Sequence, residues 1–152
     1  RLITTDPARG VELGELIREE LAGAHPAARE KSMIEGDLVH LGAKAAEVLG
    51  LALHELAINA AVHGAFASGQ GQLRVSWTKT SIEHGIPVLQ LEWEETGIGE
   101  GATGTQTRGF GLEVVERALP YALDARTSWE LSGGRLRCSI HLPMSGRTTP
   151  ST

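Results

Sequence analysis

The stretch AKAAEVLGLALHELAINAAVHGAF, residues 43–66, constrains the fold more than any other. It is rich in Ala and Leu and lacks proline, so it predicts one long helix over 43–66, with Gly64 as a C-cap. Leu53, Leu56, Ile58, Ala60 and Val62 cover most of its circumference, and a helix apolar nearly all round belongs in a core. Yet Glu55, Asn59 and His63 recur at every fourth position and so form one line along it. A carboxylate taken out of water needs a cation or a hydrogen-bond donor. Packing the apolar faces while the polar line borders a cleft satisfies both demands, and three polar residues in line favour this over simple solvent exposure. His54-Glu55 opens like the zinc motif H-E-x-x-H, but Ile58 stands where the second histidine is required, which excludes a zinc protease.

Around this helix the pattern is mixed. Val11, Leu13, Leu16, Ile17 and Leu21 predict an amphipathic helix from Val11, which HPAARE breaks. KSMIEG and LVHLG alternate around Gly36-Asp37 and predict a hairpin or a pair of small strands. QLRVSWTKT and PVLQLEWEE predict two antiparallel strands, LEVVERALPYAL a helix disturbed by Pro120, and RTSWELSGGRLRCSIHLPM a closing hairpin. That hairpin turns at Gly133-Gly134 and puts Leu136, Cys138, Ile140 and Leu142 on one face. The fold class that follows is α+β: a two-layer sandwich with a mostly antiparallel mixed sheet covered on one face by helices. Residues 1–10 read as a linker from an upstream region, 11–144 as the domain and 145–152 as a flexible tail. A chain starting at Arg1 is expected to be part of something longer.

The segment EETGIGEGATGTQTRGFGLEVV holds six of the nineteen glycines. Such density marks tight turns, a mobile loop or close approach by a ligand. Residues 97–102 fit a G-x-G-x-x-A fingerprint, but no helix pattern begins there, and no Walker P-loop occurs. Gly109-Phe110-Gly111 opens a helix pattern with Arg108 just before it, an arrangement able to hold phosphate on backbone N–H groups.

In order, these pieces resemble the catalytic ATP-binding domain of sensor histidine kinases, on the GHKL or Bergerat ATPase fold. They are most similar to the HWE branch, with His54 as the N-box histidine and Trp93-Glu94-Glu95 as the Trp-x-Glu motif. LALHELAINAAVHGAF is similar to the N box, WEETGIG to the first glycine box, RGFGLEVVERAL to the second and GGRLRCSIHLP to the closing hairpin. The resemblance implies ATP and Mg2+ as cofactors, with Asn59 on the magnesium ion. It implies that Glu55 is the general base or polarising carboxylate, with His54 beside it as a catalytic signature residue. Glu95 would accept from the adenine amine, and Gly97 and Gly99 would let the chain pass close to the base. Residues 100–108 would form a short lid, and Arg108, Gly109, Phe110, Gly111 and Leu112 would anchor it near the phosphates. His63 is either a phosphate contact or a wall of the cleft. Two positions depart from the family: Val62 replaces a frequent lysine, and Gly97-Ile98-Gly99 replaces Gly-Gly-Pro.

No acceptor histidine on a helical hairpin is visible. His25, His40, His84 and His141 read as ordinary surface or core histidines. The implied partners are therefore a histidine-bearing dimerisation domain and a response regulator, in a homodimeric parent. The net charge of −5, without a Lys/Arg cluster, argues against a nucleic-acid partner. The single cysteine suits a reducing, cytoplasmic setting, and no apolar run was expected to approach the ~20 residues that span a bilayer. Two other readings keep the fold: a serine kinase of anti-sigma-factor type, and a degenerate docking module without catalysis.

Overall fold

The computed structural model describes residues 10–83, 85–99 and 112–144. The expected linker 1–10 except Gly10, the lid with Arg108, Gly109, Phe110 and Gly111, His84 and the tail 145–152 lie outside the described residues. Among the described residues, seven strands and four helices follow in the order β1 (Val11–Glu12), α1 (Leu13–Ala24), α2 (Ala28–Lys31), β2 (Ser32–Gly36), β3 (His40–Leu41), α3 (Ala43–Val62), β4 (Gln72–Glu83), β5 (Ile86–Thr96), a π-helical turn (Val114–Ala118) continuing into α4 (Leu119–Leu123), β6 (Arg126–Ser132) and β7 (Arg135–Pro143). Strands β2-β4-β5-β7-β6 form one sheet, antiparallel except for β2 beside β4. The α+β sandwich with a mostly antiparallel mixed sheet is thus the observed architecture.

Strand alternation sorts the two faces of the sheet. Leu73, Val75 and Trp77 of β4, Leu89, Leu91 and Trp93 of β5, and Leu136, Cys138, Ile140 and Leu142 of β7 are all buried. Against them pack Leu13, Leu16, Ile17 and Leu21 of α1 and Leu49, Leu53, Leu56 and Ala57 of α3. The opposite face is polar, with Glu94 in register with Arg74 on one side and Arg137 on the other, and Arg137 in register with Glu130. Cross-strand pairs of opposite charge each add a few tenths of a kcal/mol, about 0.2–1.

Several local expectations are corrected. Helix α1 starts at Leu13, not Val11, because Glu12 caps it: its carboxylate accepts from Gly14 N–H and Glu15 N–H, both at 3.0 Å. Val11 pairs instead with Leu41 in a small two-stranded sheet. β2 and β3 do not form a hairpin with each other. β2 runs parallel to β4, which requires the crossover that α3 supplies. Asp37 holds the chain on β4 at the point where a hairpin would turn back: its carbonyl accepts from Trp77 Nε1 at 2.7 Å and its carboxylate from Lys79 N–H at 3.1 Å. The segment after Leu112 is a π turn leading into a short α-helix with Pro120 in its first turn.

Helix α3 ends at Val62 rather than 66, and its C-cap is His63, not Gly64. With 20 residues it is long and apolar enough by length and composition to cross a membrane, contrary to the expectation for this chain. Its Leu49, Leu53, Leu56 and Ala60 are instead buried in the protein core.

Candidate functional site

Among the described residues two polar or charged side chains are buried, Asn59 at 8 % and Glu95 at 0 % exposure. Both are residues the resemblance places on a nucleotide. Asn59 comes from the apolar helix α3, whose buried side it shares with Leu56 and Ala60. Glu95 comes from the end of β5, on the same face as Trp93 two residues earlier. Each oxygen of Glu95 is held: Oε1 accepts from Ala65 N–H and Oε2 from Trp93 Nε1, both at 2.8 Å. Burial raises its pKa, opposed by these two hydrogen bonds. The neighbouring Cys138 thiol is pushed up to about 12 by burial and by the charges of Glu92 and Glu95, so it is no nucleophile.

Three glycines make this packing possible. A Cβ on Gly64 would lie 2.1 Å from Glu95 Oε1, so that residue serves the carboxylate rather than the helix end. A Cβ on Gly71 would meet the Ala65 carbonyl oxygen at 2.0 Å. Gly97 has φ +71° and would bring a Cβ to 2.4 Å from the Gln70 carbonyl oxygen. The backbone after α3 and the end of β5 therefore touch directly. Ile98, next along, is buried and donates its N–H to the Gly134 carbonyl at 2.9 Å, which ties this turn to the closing hairpin. A Cβ on Gly99 would meet open space.

Glu55, one helical turn before Asn59, reaches the chain that follows the lid region. Its Oε2 accepts from Glu113 N–H at 3.1 Å, and its Oε1 from Val114 N–H at 3.0 Å and Val115 N–H at 3.4 Å. Burial raises its pKa; the N–H groups of Val115, Val114 and Glu113 pull it back, and the Glu113 charge adds to the rise. Leu112, buried, starts this helix and accepts from Glu116 N–H at 2.9 Å. His54 takes a different direction: its Nδ1 lies 3.0 Å from Glu20 Oε1 of α1, and its side chain is 60 % exposed. His63 is exposed at the end of α3.

No family model matches the chain. The blue-light-activated histidine kinase of Rhizobium johnstonii is 33% identical over 144 residues, covering 93% of this chain and 40% of that protein. The histidine kinase domain of the Erythrobacter litoralis EL346 blue-light activated histidine kinase superposes with a TM-score of 0.69 at 24% identity, over 98% of this chain and 68% of that one. The sequence and structural likenesses together support a histidine kinase catalytic domain of the HWE type. The catalytic domain of histidine kinase ThkA has the same fold, with a TM-score of 0.61 at 16% identity over 95% of this chain and 97% of that one. ThkA has also been solved in complex with the response regulator protein TrrA, where the TM-score is 0.57 at 16% identity over 89% of this chain and 41% of that one. The chain spans about two fifths of the length of the curated relative it matches.

Within this domain the structure joins Glu95 and Gly97 to the loop after α3, through Ala65 and Gln70. Glu55 bridges from α3 to the N–H groups of Glu113, Val114 and Val115, while Asn59 is buried on α3 and Leu112 beside the last helix. Sequence reasoning missed the groups that hold Glu95. The Trp93 contact was legible, since residues two apart on a strand share a face. The Ala65 N–H was not, because a backbone donor leaves no mark in a side-chain pattern. Nor was Lys31, whose ammonium donates to the Ala65 carbonyl at 3.4 Å and to the Ser68 carbonyl.

Proposed function

We propose that this domain binds Mg-ATP and transfers its γ-phosphoryl group to a histidine on a separate dimerisation domain, for relay to a response regulator. The observation that carries this reading is the pair of buried polar side chains, Asn59 and Glu95, in a domain whose other buried side chains are apolar among the described residues. Burying a carboxylate is costly unless donors meet it. Here two donors hold Glu95 in place, beside a backbone stripped of Cβ atoms at Gly64, Gly71 and Gly97.

In this reading Glu95 accepts from the exocyclic amine of adenine, and Gly97 and Gly99 let the base lie against the chain. Asn59 offers an amide oxygen to the magnesium ion, with His63 nearby at the end of the same helix. Among the described residues no group of three His, Cys, Asp or Glu could hold a metal unaided. A hard cation that keeps waters and takes phosphate oxygens fits a single amide ligand of this kind. Bound magnesium would supply charge neutralisation on the phosphates. Arg108, Gly109, Phe110, Gly111 and Leu112 would hold the phosphate end from the second glycine box, and Glu55, with His54 adjacent, supplies the carboxylate that meets the incoming histidine. ThkA bound to TrrA supports the response regulator as a partner. A cytoplasmic placement and a homodimeric parent go with this reading.

Calorimetric titration with ADP, with and without magnesium, tests it. Tight binding that needs the metal is expected, and Asn59→Ala should abolish the metal dependence. A folded protein that binds no nucleotide would remove the proposal and leave the docking-module reading. Labelled product that survives acid would point to a serine acceptor, since phosphohistidine is acid-labile.

A further inference from the structure

The loop between α3 and β4 is bracketed from outside by the α1–α2 corner. Lys31, the last residue of α2, donates from Nζ to the carbonyls of Ala65 and Ser68, across 34 positions of sequence in the first case. Six residues before Lys31, the ring of His25 lies tilted against Phe66 with centroids 5.8 Å apart, and His25 Nδ1 accepts from Ala27 N–H at 3.0 Å. From inside, the loop is packed to contact: the Ala65 carbonyl lies where a Cβ on Gly71 would sit, and the Gln70 carbonyl where one on Gly97 would sit.

Ala65 is the link. Its carbonyl faces Lys31 and its N–H holds Oε1 of Glu95 at 2.8 Å. A partly buried ammonium spanning two loop carbonyls fixes the plane of the Ala65 peptide, and hence the direction of that N–H. The other Glu95 oxygen is held rigidly by Trp93 from the same strand. The loop-borne contact is therefore the one that can drift.

We propose that Lys31 is a positioning residue for base discrimination: by clamping the Ala65 and Ser68 carbonyls it keeps the Glu95 carboxylate oriented as an acceptor for an adenine amine. The inference rests on the reading of Glu95 given under Proposed function. Adenine presents an amino donor at the edge where guanine presents a carbonyl acceptor. A carboxylate fixed as an acceptor welcomes the first and repels the second. A carboxylate that has lost one of its two donors is free to rotate and more easily protonated, and a protonated acid can donate to guanine.

The test compares wild type, Lys31→Met, Lys31→Gln and Lys31→Arg by calorimetric titration with ADP and with GDP in the presence of magnesium, alongside thermal melts. Lys31→Met keeps the aliphatic stem and should weaken ADP binding about tenfold, as for the loss of one hydrogen bond to a charged group, with a smaller change for GDP. Lys31→Gln, with a shorter donor, should fall between, and it serves if Lys31→Met does not fold. Lys31→Arg, able to reach both carbonyls, should restore the preference for ADP. Equal weakening of ADP and GDP, or an unchanged ADP affinity in Lys31→Met, would overturn the proposal while leaving nucleotide binding intact. Wild type that binds neither nucleotide would instead remove the underlying reading.

Discussion

Replacing Glu55 by alanine removes the acceptor for three consecutive backbone N–H groups, those of Glu113, Val114 and Val115. These are donors that the start of any helix leaves without an internal partner. A side-chain oxygen on such donors contributes ~1 kcal/mol. A negative charge at a helix N-terminus contributes a further ~0.3–1 kcal/mol, more where partly buried. The burial that raises the Glu55 pKa offsets part of this. We expect Glu55→Ala to lose about 1.5 kcal/mol, which for a domain of this size lowers Tm by ~3–6 °C. Glu55→Gln keeps one accepting oxygen and should lose about half as much. Thermal and urea melts without nucleotide measure both, and a Tm unchanged in both variants would refute the capping role. Phosphoryl transfer to an acceptor domain separates a second role. If Glu55 takes a proton, the two variants should fall alike by ~10²-fold or more, because an amide cannot replace a base. Transfer that instead tracks the graded loss of stability would leave Glu55 as a cap alone.

Gly64→Ala drives a Cβ to 2.1 Å from Glu95 Oε1 and 3.1 Å from Ala60 Cα; urea melts should show a loss of ~1–3 kcal/mol, with ADP binding weakened as well. Trp93→Phe deletes the indole donor to Glu95. A buried acceptor left one donor short costs ~1–3 kcal/mol by chemical denaturation, and Glu95 should protonate at still higher pH. The Glu95 pKa already stands above its unfolded value of 4.5, so the folded state binds the proton more tightly. Stability from this group is therefore present at pH below 4.5 and lost as pH rises through the raised folded pKa. Urea midpoints followed across that window should fall with rising pH, and a Glu95→Ala variant should lose that component of the slope. Affinity for ADP should run the opposite way, declining as acid protonates the acceptor.

What the sequence made legible is what periodicity encodes. The α3 stripe, the β4–β5 pair and the β6–β7 hairpin with its Gly133-Gly134 turn (φ +60° and +76°) all follow from local pattern and turn chemistry. β2 was misread because its partner, β4, lies beyond a 20-residue helix. Its alternation shows that it is a strand, not which strand it joins. The end of α3 was misread for a related reason. Gly64 resembles a helix terminator in one dimension, whereas its need for glycine comes from Glu95, thirty-one positions on. The four-residue spacing on α3 singled out Asn59, and only the family resemblance gave it and Glu95 their expected roles; their burial is a physical observation that local pattern does not supply.

The same geometry bears on why a tryptophan and a glutamate stand together in the Trp-x-Glu motif. A glutamate is one methylene longer than an aspartate. In a buried site the extra length has to be accommodated and both oxygens need partners. Gly64 gives the room, since even a methyl there would meet Oε1. Trp93, on the same strand face two residues back, presents its indole N–H to Oε2. Neither oxygen is then left without a donor inside the protein. On this account the tryptophan is chosen for its N–H as much as for its bulk. A double-mutant cycle of Trp93→Phe with Glu95→Asp distinguishes the two contributions. If the N–H matters because Glu95 reaches it, an aspartate too short to do so should make Trp93→Phe nearly neutral, giving a coupling energy of roughly 1 kcal/mol or more between the sites. Strict additivity of the two substitutions would reduce Trp93 to a packing residue.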